Sequence, residues 1–469
     1  MLRLPLSLVG DGYLVPCVDG TDRPYLSMDA AASTSALPEV FQRLEEFLPR
    51  YSSVHRGAGY KSQVSTRAYD EAHTAARVFA GREGRDDVAV FCRNTTEAIN
   101  HLAYRLDLSP DEVVVTTVAE HHANLLPWRR YASCRYVECD EKGTFGVDEV
   151  VAALEGEPRP RLLAITGASN ITGWSPALEP IIDASHHLGV PVLVDCAQLA
   201  PHRPMPLEAD FIAWSGHKMY APFGAGVLIG PSATFQYGEP FLAGGGAVEL
   251  VDLDEVLWTE PPDREEAGSP NVVGAIALQV AMEHLLSIGW DKIAEHDQLL
   301  SERLRKGLGA IPGVRVLGPG GRSGGTLFPG ESDADLLPVV TFTVDGIHHG
   351  LVAARLSAEF GIGVRHGCFC AHPYLMRLLG LSHDEVMAYR ADVREGNHVS
   401  MPGAIRASTS LSTSTEDVDR LLDSLSTIAG GSPPPIPYIQ DPRSGDCYPD
   451  PEATSWYVGG GNFPSCGSG

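Results

Sequence analysis

Positive charge is scarce in this chain. Its 469 residues hold 35 Lys and Arg against 60 Asp and Glu, a net charge of -25. A nucleic-acid backbone or an anionic membrane surface would be repelled, so neither is expected as a partner, while a local basic pocket stays compatible with the balance. Long apolar runs are also missing. None reaches the ~18 residues of a membrane span, and the apolar opening MLRLPLSLVGDGYLVP is broken by Pro5 and Gly10-Asp11 before an h-region forms. The nine cysteines are odd in number and scattered, unlike a disulfide framework, which makes a reducing cytoplasm the expected compartment. No repeat of solenoid period occurs. What is there is ordinary globular material, 43% hydrophobic and 20% charged, enough for two large lobes or one very large one.

Short apolar, β-branched runs alternate with stretches of helical spacing: VAVF (88–91), VVVTT (113–117), RLLAITG (161–167), PVLVDC (191–196), FIAW (211–214) and GVLIG (226–230). Runs apolar throughout suit strands covered on both faces, and the rhythm predicts an α/β domain with a largely parallel sheet over residues 31–300. Residues 301–430 change texture and read as a smaller α+β domain, with 1–30 as a segment packing on it. Residues 431–469 hold eight Pro and seven Gly among 39 and cannot build a core, so the tail is either disordered or laid on the surface, the latter favoured by Tyr438, Trp456, Tyr457 and Phe463.

Four motifs carry chemistry. In WSGHK, Ser215, His217 and Lys218 follow a strand end, where α/β sheets gather their chemistry, and a lysine there invites a Schiff base with a cofactor aldehyde; alone, it also reads as a surface lysine. Asp195 ends the apolar strand of PVLVDC, 23 residues earlier. A carboxylate buried there needs a positive partner such as a protonated pyridine ring, with Gln198 placed to hydrogen-bond the ring's phenolic oxygen; the competing reading is an N-cap for a following helix. Thr95 and Thr96 in NTTEAIN open a helix and offer a phosphate seat or a plain cap. His121 in EHHAN lies just past a strand and suits ring stacking and proton movement, or a structural role.

Taken in order, TTEAIN, EHHAN with PW, SNITG, VDCAQ, WSGHK and AGSPN resemble the class V enzymes dependent on pyridoxal phosphate (PLP), of the aspartate-aminotransferase fold type I. The match is nearest to the cysteine desulfurase/selenocysteine lyase group with an Arg-x-Gly-x-x-Cys-Ala loop. It covers about residues 25–428. The resemblance implies a PLP-dependent transferase fold, with a mainly parallel seven-stranded sheet domain and a smaller α+β domain. It implies Lys218 as the cofactor-bearing lysine, Asp195 and Gln198 on the ring and His121 stacked over it. Thr95, Thr96, Ser215 and His217 would hold the phosphate, with Ser269 reaching the site of the other subunit in a homodimer. The resemblance further implies that Asn170 contacts cofactor and substrate and that Arg406, Arg365 and His55 bind substrate, the arginine fork suiting a carboxylate.

The same resemblance places a persulfide-forming cysteine at Cys370 in VRHGCFCAHPYL, with Arg365, His366 and His372 expected to favour its thiolate. The implied reaction converts L-cysteine to L-alanine, passing sulfur to Cys370 and from there to an acceptor, such as a protein. The alternating His366, Cys368, Cys370 and His372 resemble zinc ligands, but extended they would span about 20 Å, too long for one tetrahedral ion, so no metal is expected. Cys370 as a small buried hydrophobe is the other reading. Cys368 is an added thiol that either resolves a persulfide or fills space. Residues 378–403 form an extra segment expected to place a helix near the site mouth. Elimination by a PLP-dependent C–S lyase, another class V reaction on a larger, specialised-metabolite substrate, and a non-enzymatic PLP-binding subunit are the alternatives.

Overall fold

The computed structural model describes residues 4–55, 57–320 and 336–454. Seven strands form the main sheet: β1 (Asp87–Cys92), β2 (Val113–Thr117), β3 (Ser133–Val137), β4 (Pro160–Thr166), β5 (Val192–Asp195), β6 (Phe211–Ser215) and β7 (Gly226–Pro231). Their order across the sheet is β1-β7-β6-β5-β4-β2-β3. β7 runs antiparallel to both its neighbours, and the other six strands point one way, as the uninterrupted apolar runs required. Successive residues feed opposite layers. Val115, Leu163, Val194 and Ile212 join the core on one face, while Val114, Leu162, Leu193 and Ala213 join the core on the other.

Helix α1 (Tyr60–Phe79) covers the first face, and α2 (Thr95–Arg105) the second. The apolar stretch at 272–289 becomes α3 (Val272–Ile288), buried nearly all round. At Gly289, whose φ of 89° only glycine takes without strain, the chain bends by 85° into α4 (Trp290–Ala310). Ile293 of α4 packs in the large core and Leu300, Leu304 and Leu308 in the smaller one, so the texture change near residue 301 falls within one helix that both cores share. Among the described residues no single helix is long and apolar enough to cross a membrane.

The smaller sheet is antiparallel: β8 (Val314–Leu317), β9 (Val339–Val344), β10 (Arg365–Gly367) and β11 (Ala404–Ser408), ordered β8-β9-β11-β10. Helices α4, α5 (His349–Phe360) and the last helix (Thr415–Ala429) pack over it. Leu26 and Met28 of the N-terminal segment join this core, and Leu26–Ser27 pairs with Ile362–Gly363. Beyond residue 430, the described part of the tail lies on the small domain. Its paired strands Tyr438–Gln440 and Cys447–Pro449 sit by α5, and Tyr438 donates to Glu359 (3.1 Å). Trp456, Tyr457 and Phe463 fall outside the described residues.

Candidate active site

The carboxyl ends of the parallel strands converge on a cavity of about 230 Å³. β2 leads to His121, β4 to Asn170, β5 ends in Asp195, and β6 ends in Ser215 ahead of Lys218; β10 adds Arg365 and β11 adds Arg406. Thr95, Thr96, Gln198, His217 and Cys370 complete the set of anticipated residues lining the same cavity. Thr95 is the first residue of α2, and its N–H donates to Ser215 Oγ (2.8 Å), fastening the helix start to the end of β6. The helix cap is Asn94, which accepts from Glu97 N (3.0 Å), leaving both threonines to the cavity rim. Gly226 permits this approach: a Cβ there would lie 2.7 Å from Asn94 Cα.

The electrostatics follow from burial. Asp195 is buried, accepts a hydrogen bond from Ala197 N (2.9 Å), and is raised above the usual carboxylate range by desolvation. Turns follow it rather than a helix, so the N-cap reading does not apply. Desolvation brings the Lys218 amine down to about 8 even though Asp195 opposes the shift. Burial, then Lys218, holds His121 near 3 and His217 near 4, so both imidazoles are neutral. His121 Nδ1 accepts from Ala123 N (3.0 Å), which places any ring proton on Nε2. Gln198 donates to Ala31 O (2.7 Å). Arg406 is buried, pairs with Asp29 (2.8 Å), donates to Asn170 O (3.0 Å), and lies 5.2 Å from the Phe369 ring centre; its Nε has no partner among the described residues.

This donor set fits PLP. Hydroxyls and a helix N-terminus suit a phosphate, the buried Asp195 carboxylate a pyridinium, and the buried Lys218 amine an aldehyde. A ring there would answer the desolvation that Asp195 now meets with a single backbone N–H.

The cysteine loop is not extended. Phe369 and Cys370 have φ of 52° and 54°, so the chain turns sharply and the alternating side chains scatter. Cys370 is exposed and lines the cavity. Cys368 faces away, donating to Pro402 O (3.1 Å) and packing against the large core, with its thiol pushed up to about 11 by burial; this geometry favours the space-filling reading. His366 meets His349 (3.3 Å) and the tail's Asp446 (3.4 Å), and His372 stacks on His122. Of the three groups expected to favour the Cys370 thiolate, Arg365 alone shares the cavity with it. Among the described residues no cluster of three or more His, Cys, Asp or Glu is placed to hold a metal. The extra segment forms a helix, His383–Arg394, with no buried residue, and its exit contributes the Met401 and Pro402 carbonyls that meet His349 and Cys368.

Ser269 and His55 do not reach the cavity within one chain. They line a separate pocket of about 360 Å³ with Asp263 and Glu266. Three contributors were not among the expected site residues. Asp29 holds Arg406 across the chain, Phe369 lies against it, and Glu120 ties the ends of β2 and β4 together. Glu120 and Phe369 lie inside the EHHAN and VRHGCFCAHPYL stretches, where their neighbours drew the functional reading, and Asp29 belongs to no motif.

The chain matches the Aminotransferase class-V family over residues 26–421. It is 32% identical over 419 residues to a cysteine desulfurase of Dickeya dadantii, covering 87% of this chain and 92% of the relative. Its structure is similar to the apo cysteine desulfurase of Thermococcus onnurineus, with a TM-score of 0.75 and 30% identity over 87% of this chain and 95% of that one. An Escherichia coli cysteine desulfurase gives 0.70 at 30% identity, over 86% and 94%. With the strand-end constellation in place and the match running across both lobes, the chain belongs to the class-V aminotransferase family.

Proposed function

We propose that this protein is a PLP-dependent cysteine desulfurase, converting L-cysteine to L-alanine and leaving the sulfur as a persulfide on Cys370. The observation carrying the reading is that an exposed cysteine is held over the same small cavity as Lys218, Asp195 and Arg406. Thr95, Thr96, Ser215 and His217 would hold the cofactor phosphate, Asp195 and Gln198 its ring, His121 its face, and Asn170 its rim. Bound PLP supplies an electron sink for the broken Cα–H bond.

Arg406 grips the substrate carboxylate, its unpartnered Nε turned to use, with Arg365 beside it. Lys218, whose amine would bear the cofactor in the resting enzyme, is the base that takes the Cα proton, a task suited to an amine brought down to about 8. The Cys370 thiolate attacks the substrate sulfur: an S–S bond forms as the Cβ–S bond breaks, and a proton delivered to Cβ and one returned to Cα complete alanine. The ammonium that Lys218 becomes on taking the Cα proton supplies a proton for that last step, and neutral His121, its ring proton on Nε2, lines the same cavity as a hydrogen-bond donor to the reacting groups.

The chain works as a homodimer in this reading, with Ser269 and His55 serving the partner's cavity from the second pocket; a fully active monomer by light scattering would refute it. An acceptor protein takes the sulfur, and eight free cysteines among the described residues suit the cytoplasm. The decisive experiment supplies L-cysteine to wild type and Cys370→Ala and measures alanine, sulfide and the intact mass. Alanine with a 32 Da gain on Cys370 (~32 Da, one sulfur), both lost in the variant, supports the assignment. Undiminished alanine from Cys370→Ala removes Cys370 from the chemistry, and pyruvate with ammonia indicates elimination.

A further inference from the structure

The turn carrying Cys370 is bent against its own preference. Two successive non-glycine residues, Phe369 and Cys370, sit in the left-handed region, at a cost on the order of 1 kcal/mol each. The groups that hold the turn there come from the large domain. Asn170 Nδ2 donates to Phe369 O (2.8 Å), the backbone N–H of His122 donates to Cys370 O (2.8 Å), and the backbone N–H of His372 donates to His122 Nε2 (3.3 Å). The His122 and His372 rings stack with centroids 5.0 Å apart and planes 4° from parallel, and His372 Nδ1 lies 3.2 Å from His122 Nε2. His122 therefore brackets Cys370, from its carbonyl on one side to the second residue after it on the other.

We propose that His122 is a positioning residue for sulfur transfer, its backbone N–H and neutral ring clamping the Cys370 turn with His372 as the stacked partner. The proposal rests on Cys370 being the sulfur acceptor. The hydrogen bonds fix the tautomer. A backbone N–H can only donate, so His122 Nε2 carries no proton, the ring proton is on Nδ1, and His372 Nδ1 at 3.2 Å is a donor. Protonating His122 at Nε2 removes the acceptor and sets an N–H against two others. The titratable groups facing His122 are His121, ring to ring at 6.2 Å, His372, and Cys370 through its backbone. Burial and the neighbouring His372 lower His122 from its ordinary value, which keeps the accepting form at neutral pH. Helix His372–Leu379 gives the far side of the clamp a rigid base: its Tyr374 and Leu375 are buried in the large core, and Tyr374 donates to Gly143 O (2.7 Å).

The test separates cysteine positioning from general integrity in the holoenzyme. Two readouts are followed with L-cysteine in deuterated water: exchange at Cα, which reports Lys218, and single-turnover mass gain on Cys370, which reports sulfur transfer. In His122→Phe, which keeps a ring but no acceptor, sulfur transfer is expected to slow about 100-fold while Cα exchange stays within about 2-fold. His122→Gln offers an amide oxygen to the His372 N–H and is expected to recover most of the rate. Sulfur transfer in wild type is expected to fall on acidification partly through His122, and that part of the loss to be missing in His122→Gln, because an amide does not titrate. Equal loss of both readouts in His122→Phe without rescue by Gln, or an unchanged rate in His122→Phe, overturns the proposal. Wild-type alanine without any mass gain on Cys370 overturns the desulfurase assignment itself, and the clamp's purpose with it.

Discussion

Replacing Glu120 with Gln should change how stability depends on pH. Glu120 is fully buried and accepts three hydrogen bonds: Thr117 Oγ1 (2.7 Å) and Thr166 N (2.9 Å) on one oxygen, Asn124 Nδ2 (2.7 Å) on the other. These donors favour the carboxylate, yet desolvation outweighs them, with Asp195 adding to it, and raises the group from 4.5 to about 8. An acid raised on folding binds its proton more tightly in the native state. Its contribution to stability is therefore complete below the unfolded value of 4.5 and is lost as pH rises through about 8. At about 1.4 kcal/mol per pH unit, that window amounts to on the order of 5 kcal/mol.

A neutral glutamine loses no stability over that window. It does place an N–H₂ against Asn124 Nδ2, whose own oxygen is occupied by Trp128 Nε1 (3.2 Å), an offset of about 1–3 kcal/mol that does not vary with pH. The slope is therefore the diagnostic quantity. Urea unfolding of wild type and Glu120→Gln from about pH 5 to about pH 9, at fixed cofactor concentration, should show wild type losing several kcal/mol relative to the variant, most of it between about pH 6 and pH 8. A difference that stays constant across the range would show that Glu120 is ionised throughout, and the reasoning from burial would fail.

Two further outcomes follow from the site's supports. Asp29→Asn leaves Arg406, whose side chain is 3% exposed, facing a neutral partner, while Asp29 itself is 23% exposed; a loss of about 2 kcal/mol, between the buried and surface limits, is expected in urea unfolding, with a changed KM for L-cysteine because Arg406 is freed from its anchor. Gly173→Ala puts a Cβ 2.5 Å from Leu337 O at a φ of 72°, so roughly 2–4 kcal/mol should be lost, read as a lowered urea midpoint.

Much of the site was legible because its residues sit in local patterns. Lys218, Asp195, His121 and Thr95 each follow a short apolar run, and a parallel sheet forces such run-ends to one edge. Residues whose role depends on distant partners were not legible. Asp29 meets Arg406 across 377 residues of chain, and nothing in LSMDAA signals it. The alternation of His366, Cys368, Cys370 and His372 reads locally as an extended stretch, whereas the left-handed turn at Phe369 and Cys370 is held from outside by Asn170 and His122. His366 and His372 looked like neighbours of the thiol because they are near it in sequence; the same turn sends them to His349 and His122 instead.

By itself, then, the sequence determined the alternation of elements, the cofactor chemistry and the family, because apolar periodicity and the order of short motifs are local properties of the chain. The tertiary structure alone decided that Cys368 turns away to Pro402, what grips the Cys370 turn, where the tail to residue 454 lies, and that Ser269 and His55 stand together outside the cavity. Those outcomes depend on hydrogen bonds and packing between segments hundreds of residues apart, whose free energy exists only once both segments are in place.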